Sequence, residues 1–212
     1  LVLVPGGQPP RTALGFLFVP VAQACVSLGL IPAQPFEKAF ELLDACVHDW
    51  STAIPFEQNG PKRLATELHG KLAVVYGLGA WQAAVANRWK GQINENAKVM
   101  CFANAFPELC HNEILGWVKA GEQGVNEWVG VVLGDGTESA KMKRRAEVTA
   151  SLVGGLAPFH RVMACGETLL ERMLSLVLYG DFVSLYLAAL NRVDPENIDS
   201  INALKSELSK VR

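Results

Sequence analysis

The chain has 212 residues, half of them hydrophobic, and its 19 basic and 21 acidic side chains leave a net charge of -2. That length and hydrophobic content can bury a core of native size, so the chain needs no disulfide or metal to fold. The balanced charge would attract neither nucleic acid nor an anionic membrane, which leaves small molecules or proteins as the expected partners. The five cysteines are odd in number and widely spaced, which predicts buried thiols in a reducing, cytoplasmic compartment.

The first eleven residues combine a short apolar run with a rigid loop. Residues 1–4 are typical of the last strand of a domain that lies mostly outside this chain, which predicts a fragment or a processed chain. In the loop that follows, Gly6 and Gly7 let backbone N–H groups approach a ligand closely, and Arg11 adds a fixed charge. The loop therefore suits an oxyanion, although a turn without a ligand would explain the glycines equally well.

The stretch from residue 12 to residue 36 carries no charged side chain, and residues 13–31 are about as long as a membrane-spanning helix. The proline in its middle, Pro20, and the absence of flanking clusters of Lys or Arg argue against a membrane anchor. We expect a helix buried in a large domain or in a subunit interface, and no membrane association. Residues 36–50 have apolar side chains at helical spacing and predict an amphipathic helix.

From residue 72 onward, short apolar runs alternate with helix-length segments. The runs show little polar alternation, as expected for strands that are covered on both faces, and comprise residues 72–76, 98–102, 128–133 and 160–165. This alternation predicts an α/β fold with a parallel sheet, in which ligands bind at the carboxyl ends of the strands. A last helix is predicted to start at Asp194-Pro195 and to carry Lys205 on the flank of an inward apolar stripe.

Two short polar motifs could carry chemistry. Residues 94–96, Asn-Glu-Asn, place the carboxylate of Glu95 between two amides directly before a predicted strand. The asparagines could instead simply cap backbone groups. Residues 111–113, His-Asn-Glu, open a predicted helix, whose dipole favours a neutral His111 that exchanges protons near neutral pH. A plain helix cap is the alternative for this motif.

Three weaker signals are interpreted as structural. Residues 134–139, which follow the third strand, could bind an anion but are typical of an ordinary loop. The basic run within residues 141–145 is interpreted as a solvated helix face and not as a nucleic-acid patch. The neighbouring cysteines and histidines lack the paired spacing of zinc sites, so no metal is predicted.

Taken in order, these motifs resemble those of the bacterial and archaeal phosphoglucose/phosphomannose isomerase family, along essentially the whole chain. The matching segments are residues 5–15, 88–98, 107–114, 166–172, 180–188 and 194–205. The resemblance implies sugar-isomerase (SIS) domains, each a flavodoxin-like, three-layer parallel sheet flanked by helices. It implies that residues 71–212 form the second, carboxy-terminal SIS domain, with additional terminal helices. Residues 1–70 would then be the end of the first domain plus linking helices.

The resemblance also implies an activity, namely interconversion of glucose 6-phosphate with fructose 6-phosphate through an enediolate, without a metal or organic cofactor. The matching residues are the catalytic Glu95, His111, Lys205 and Arg11, and the substrate-binding Gly6, Gly7, Arg11, Asn94 and Ile198. Glu95 is similar to the base that moves a proton between C1 and C2, and Arg11 to the group that stabilises the enediolate. His111 and Lys205 are similar to ring-opening groups.

A cytoplasmic homodimer acting in glycolysis and gluconeogenesis is implied, with His111 reaching the site of the neighbouring subunit. Two departures from the family matter. The family's serine- and threonine-rich loop, which binds the sugar phosphate, belongs to the first domain and is absent from this sequence. In addition, Ile198 stands where dual-specificity members carry threonine and glucose-only members carry glutamine. Mannose 6-phosphate thus stays open as a second substrate. The alternative function is a non-catalytic SIS domain that senses sugar phosphates, although a sensor needs no proton-transfer glutamate.

Overall fold

A computed structural model describes residues 1–125 and 127–211 and contains one parallel sheet at its centre. The four strands are β1 (Leu72–Gly77), β2 (Cys101–Ala105), β3 (Trp128–Gly134) and β4 (Phe159–Met163). They lie in the order β2-β1-β3-β4, which is the order of a flavodoxin-like sheet, and the predicted fold is confirmed. Strand β2 starts later than residue 98, because residues 93–97 form a π-helical turn and Lys98 is left-handed, with φ 58°.

Helices cover both faces of the sheet and produce the three predicted layers. One face carries α3 (Gly60–Leu68), α4 (Ala80–Gln92) and α7 (Leu169–Asn191), and the other carries α5 (Glu113–Gly116) and α6 (Ala140–Val153). Successive strand residues point to opposite faces, so Val75 belongs to the first core cluster and Tyr76 to the second. The first cluster is the larger one and is built around the fully buried Trp89.

Helix α7, with 23 residues, is long and apolar enough to cross a membrane. Within residues 1–125 and 127–211 no other helix passes that test. Helix α7 instead lies inside the domain, where Leu176, Val183 and Leu187 pack in the cluster that contains Trp89. Thr168 and Glu171 form a reciprocal capping box at its first turn.

The amino-terminal segments differ from the predictions. Residues 1–4 are exposed and form no strand, because no described strand lies beside them to pair with. Helix α1 (Leu14–Ser27) has 14 residues and ends before the left-handed Gly29, so it is too short for a bilayer core of about 30 Å. Within one chain it buries only Ala22, which contradicts a helix buried in this domain, while burial in a subunit interface stays a prediction. Helix α2 (Phe36–Trp50) is confirmed as amphipathic.

The carboxy-terminal helix, α8 (Asp199–Leu208), begins later than predicted. The side chain of Asp194 accepts a hydrogen bond from the backbone N–H of Glu196 at 2.8 Å, which forms a turn in place of a helix cap. Asn197 Oδ1 then accepts from the N–H of Asp199 at 3.1 Å. No residue of α8 is buried, so the predicted inward stripe is wrong for a single chain.

The five cysteines are free, but only two of them are buried. Burial raises the pKa of the Cys46 thiol to about 11 and that of Cys101 to about 12. Cys165 is exposed, because it lies in the loop between β4 and α7, so the expectation of uniformly buried thiols is wrong for this residue.

Candidate functional site

Glu95 lies at the amino edge of the sheet. It belongs to the π-helical turn Ile93–Ala97, which joins the end of α4 to the start of β2. Since α4 returns from the carboxyl end of β1 to the amino end of the parallel β2, this turn lies opposite the edge where ligands were expected. Ile93 and Ala97 are buried and fix the turn, while the Glu95 side chain keeps 43% exposure. A carboxylate in this setting is anchored through its backbone and remains accessible.

Arg11 meets Glu95 from far along the chain. Its Nη1 lies 3.4 Å from Glu95 Oε2, its Nε donates to Asn96 Oδ1 at 3.2 Å, and its Nη2 donates to the carbonyl of Pro195 at 3.0 Å. Asn96 in turn donates to Ser184 Oγ at 2.9 Å, deep inside the domain. The Arg11 side chain is only 11% exposed, and three acceptors orient the planar fork of its guanidinium. The structure thus brings together two of the predicted catalytic residues.

A partly buried polar network contacts the backbone of Arg11. Arg88 Nη2 donates to Asp181 Oδ2 at 2.8 Å and to the backbone carbonyl of Arg11 at 3.1 Å. Gln92 Nε2 donates to the other Asp181 oxygen at 2.8 Å. Burial raises the pKa of Asp181, while the hydrogen bonds from Arg88 and Gln92 oppose that rise. Sequence reasoning assigned no role to these three residues, although Arg88 and Gln92 stand four apart on one face of α4, which was the available signal.

Two clefts flank the Arg11 side chain. One measures about 520 Å³ and is lined by Arg11, Glu95 and Arg88 together with apolar side chains of α7 such as Met173. The other measures about 410 Å³ and is lined by Arg11, Asn96, Asp181 and Pro195 among others. Both volumes are in the range of small-molecule sites. Arg11 therefore lines both spaces, and Glu95 lines the larger of them.

His111 lies at the opposite edge of the sheet. It ends a 3-10 turn, Glu108–His111, that follows the carboxyl end of β2, and it is exposed. Strand β2 has five residues, so at ~3.3 Å per residue it alone spans about 16 Å between the segments that carry Glu95 and His111. The helix predicted after His111 is a single turn of four residues capped by Asn112. One chain therefore does not bring His111 to Glu95.

The segment that carries His111 is tied to the sheet by Glu113. The carboxylate of Glu113 accepts hydrogen bonds from Tyr76 Oη and Asn104 Nδ2, both at 2.5 Å. Trp117 Nε1 donates to the same tyrosine oxygen at 3.0 Å. Burial raises the pKa of Tyr76, so its hydroxyl stays protonated and serves as a donor. Sequence reasoning named Glu113 only as part of a motif and missed this anchoring contact.

The remaining predicted residues take no part in the Arg11 and Glu95 contact. Lys205 is exposed on α8, and its ammonium forms no hydrogen bond or ion pair with the described residues. Ile198 is half-buried at the residue that precedes α8. The structure does not bring either residue into contact with Glu95.

The glycine loop precedes Arg11 in the chain, and Asn94 belongs to the turn that carries Glu95. Gly6 and Gly7 are exposed in the loop that leads into Arg11, and Gly7 has φ 85°, a conformation that glycine adopts readily. The Oδ1 atom of Asn94 is buried and accepts no hydrogen bond from the described residues. Such an orphaned acceptor beside Glu95 is unusual in a folded protein.

In the loop after β3, backbone N–H groups bind the side-chain carboxylate of Glu138 in the same loop. Glu138 accepts hydrogen bonds from the backbone N–H groups of Asp135 at 2.6 Å and Gly136 at 3.0 Å. These amides are therefore occupied by the chain itself, which agrees with the interpretation as an ordinary loop. Among the residues that the structure describes, no group of three His, Cys, Asp or Glu side chains is placed to hold a metal ion.

Comparison with known proteins gives consistent matches. The chain is 34% identical to the bifunctional phosphoglucose/phosphomannose isomerase of Caldicellulosiruptor bescii, over 100% of this chain and 63% of that protein. It is 30% identical to the enzyme of the same name from Thermoplasma acidophilum, over 98% of this chain and 62% of that protein. The chain thus spans a little under two thirds of the length of these relatives.

Solved structures and family models agree with these relatives. A glucose-6-phosphate isomerase like protein from Thermus thermophilus superimposes with a TM-score of 0.68 at 19% identity, over 94% of this chain and 64% of that one, which supports the fold. The family model described as the bacterial phospho-glucose isomerase C-terminal SIS domain matches residues 57–208. Since that match covers most of the sequence, the chain belongs to the family of bacterial phospho-glucose isomerase C-terminal SIS domains.

Proposed function

We propose that this chain is the carboxy-terminal, catalytic part of an aldose–ketose isomerase that interconverts glucose 6-phosphate with fructose 6-phosphate, with mannose 6-phosphate as a second candidate substrate. The observation that carries this proposal is the contact between Arg11 and Glu95 at the border of a cleft of about 520 Å³. The names of the relatives support the substrate class. In this proposal residues 1–70 end the first SIS domain and link it to the second, residues 71–212, although α3 already packs in the core of the second.

The chemistry follows from the two side chains. Glu95, as a carboxylate, removes the proton from C2 of the open-chain aldose, and the electron pair moves through the C1–C2 bond to the carbonyl oxygen at C1. Arg11 donates hydrogen bonds to the enediolate oxygens as negative charge develops on them. A proton then passes from the oxygen at C2 to the oxygen at C1. The electron pair left on the C2 oxygen forms the carbonyl at C2 while the protonated Glu95 delivers its proton to C1, which yields the ketose and restores the base. The reaction is redox-neutral within the sugar and consumes no co-substrate.

The test is an assay of the full-length gene product with glucose 6-phosphate, mannose 6-phosphate and fructose 6-phosphate, each run in D₂O. Because the base exchanges its proton with solvent, we expect isomerisation together with incorporation of deuterium at C1 or C2. Turnover of mannose 6-phosphate would show dual specificity, and it would show that Ile198 at the specificity position permits this second substrate. If the protein binds these sugars but neither isomerises them nor catalyses deuterium incorporation, it is a sensor and the proposed function is wrong.

In the proposed enzyme the histidine that serves Glu95 comes from a second copy of the chain, in a cytoplasmic homodimer that acts in glycolysis and gluconeogenesis. Two observations support this arrangement. His111 and Glu95 lie at opposite edges of the sheet. Several apolar side chains of α1 and α8, including Leu17, Val21 and Leu204, are exposed in the single chain, as expected for surfaces that another subunit covers.

Mixed dimers test the shared site. Glu95→Gln and His111→Ala subunits are each expected to be inactive, but an equal mixture that is unfolded and refolded together should regain about a quarter of wild-type activity. Random pairing makes half of the molecules heterodimers, and each heterodimer then holds one site with both native residues, by two-fold symmetry. Light scattering measures the dimer. A dimeric mixture that stays inactive would place both residues of a site in one chain.

A further inference from the structure

One backbone carbonyl, that of Pro195, joins the Glu95 turn to the segment that leads into α8. It accepts hydrogen bonds from Arg11 Nη2 at 3.0 Å and from Lys98 Nζ at 3.3 Å. The same Lys98 ammonium also donates to the backbone carbonyl of Glu95. Lys98 therefore bridges two separate turns, one carrying the proposed base and the other preceding the helix that carries Lys205.

The backbone of Lys98 adopts a conformation that is energetically unfavourable for lysine. Lys98 and Arg192 are the two residues other than glycine with positive φ among those the structure describes, at 58° and 56°. Lysine is disfavoured in this left-handed region, which glycine and asparagine adopt more readily. A strained residue beside a proposed catalytic carboxylate is a reason to look for a function in its side chain. Here the side chain supplies the ammonium that reaches two carbonyls.

Helix α8 depends on this attachment because it has little else to hold it. None of its residues is buried in the chain, and its first residue follows the turn at 194–198 directly. The position of Lys205 relative to Glu95 therefore depends largely on the contacts that hold the turn at 194–198. Two side chains, Arg11, which already contacts Glu95, and Lys98, donate to the Pro195 carbonyl of that turn.

We propose that Lys98 is a positioning residue, which fastens the Pro195 turn to the Glu95 turn and thereby sets where α8 presents Lys205. This inference rests on the proposed isomerase function for its effect on rate. Its structural part, the fastening of α8, stands independently of that function and is measured separately.

The experiment compares Lys98→Asn with the matched control Arg192→Asn in the full-length protein. Both changes remove one cation and place a residue that tolerates positive φ, but only Lys98 contacts the two turns. For Lys98→Asn we expect faster amide hydrogen exchange in residues 196–208. We also expect a fall in kcat on the order of tenfold, with KM changed less than about twofold, because a displaced group lowers the rate without removing binding contacts. Arg192→Asn should change neither quantity.

A third variant, Lys98→Arg, keeps a cationic donor at the same backbone position and should restore the slow exchange and most of the rate. Exchange in residues 196–208 that is the same in Lys98→Asn and wild type would overturn the inference, whatever the activity. Faster exchange with an unchanged kcat would also overturn it, since the turn would then be fastened without effect on catalysis. An inactive wild type would contradict only the proposed function, because the exchange experiment does not depend on turnover.

Discussion

Replacement of Glu95 by glutamine is expected to lower the isomerase rate of the full-length protein by about 10²–10⁴-fold, the usual contribution of a positioned general base. Glutamine has nearly the same shape, but its amide cannot accept a proton from carbon. Deuterium incorporation from D₂O should fall with the rate, because both require the same proton transfer. The binding of sugar phosphate, measured by calorimetry, should change far less, since Glu95 acts on C1 and C2 and not on the phosphate.

The matched control is Glu196→Gln, because Glu196 is an exposed residue that lines the cleft beside Arg11 and forms no hydrogen bond or ion pair with the described guanidinium. It should retain wild-type rate and exchange. Thermal unfolding should be similar in both variants, since the 3.4 Å ion pair of Glu95 is 43% exposed and such pairs contribute about 0–1 kcal/mol. Equal activity in wild type and Glu95→Gln would remove the residue from the chemistry.

The sheet was predictable because its strands are continuous apolar runs that must be covered on both faces. Val129, Val131 and Leu133, for example, lie on one face of β3 and are fully buried. The late start of β2 was not predictable, because a π-helical turn keeps the apolar spacing of a helix for five residues and carries no separate sequence signal. The left-handed Lys98 likewise has no signal, since glycine or asparagine is the residue expected there.

Segments with exposed apolar surface show a different limit of prediction from sequence, namely that the packing partner of an apolar face is not known. The pattern in α1 and α8 predicts that residues such as Val21 and Leu204 are covered, but they are exposed in one chain, and periodicity does not say which chain would cover them. The same holds for residues 1–4, whose apolar character is typical of a strand, although a strand forms only where a neighbour can pair with it. In these cases the prediction assumed a packing partner that the single chain does not supply.

In the candidate site, sequence reasoning named Arg11 and Glu95 but could not place them together, since 84 positions separate them. Their proximity depends on the packing of α4 against α7, which also positions the partly buried pair of Arg88 and Asp181 next to them. The charges of Arg88 and Asp181, on two helices that also supply core residues, were visible in the sequence and indicated buried polar contacts. However, the partner of Arg88 could be assigned only after the packing of the two helices was known, because many carboxylates in the chain could have paired with it.

The second large effect is expected from Arg11. Arg11→Met should lower kcat/KM by about 10²–10³-fold, because removal of one preorganised donor to a developing oxyanion costs that much in other enzymes. Arg11→Lys keeps the charge but cannot reproduce donation from Nη1, Nε and Nη2 to three separate acceptors, so it should recover only part of the rate. Steady-state kinetics with fructose 6-phosphate measures both variants against wild type.

Arg11 also fastens the Pro195 turn, so its loss could slow the enzyme by displacing α8 instead of removing an oxyanion donor. The two causes separate by comparison with Lys98→Asn, which loosens the same carbonyl and leaves the guanidinium in place. If Arg11→Met is slower than Lys98→Asn by about tenfold or more, the additional loss belongs to the donor facing the substrate. Arg161→Met, on β4 and exposed, controls for the loss of an arginine and should keep full activity. Equal rates for Arg11→Met and Lys98→Asn would reduce Arg11 to a positioning residue and leave the enediolate without its proposed stabilising cation.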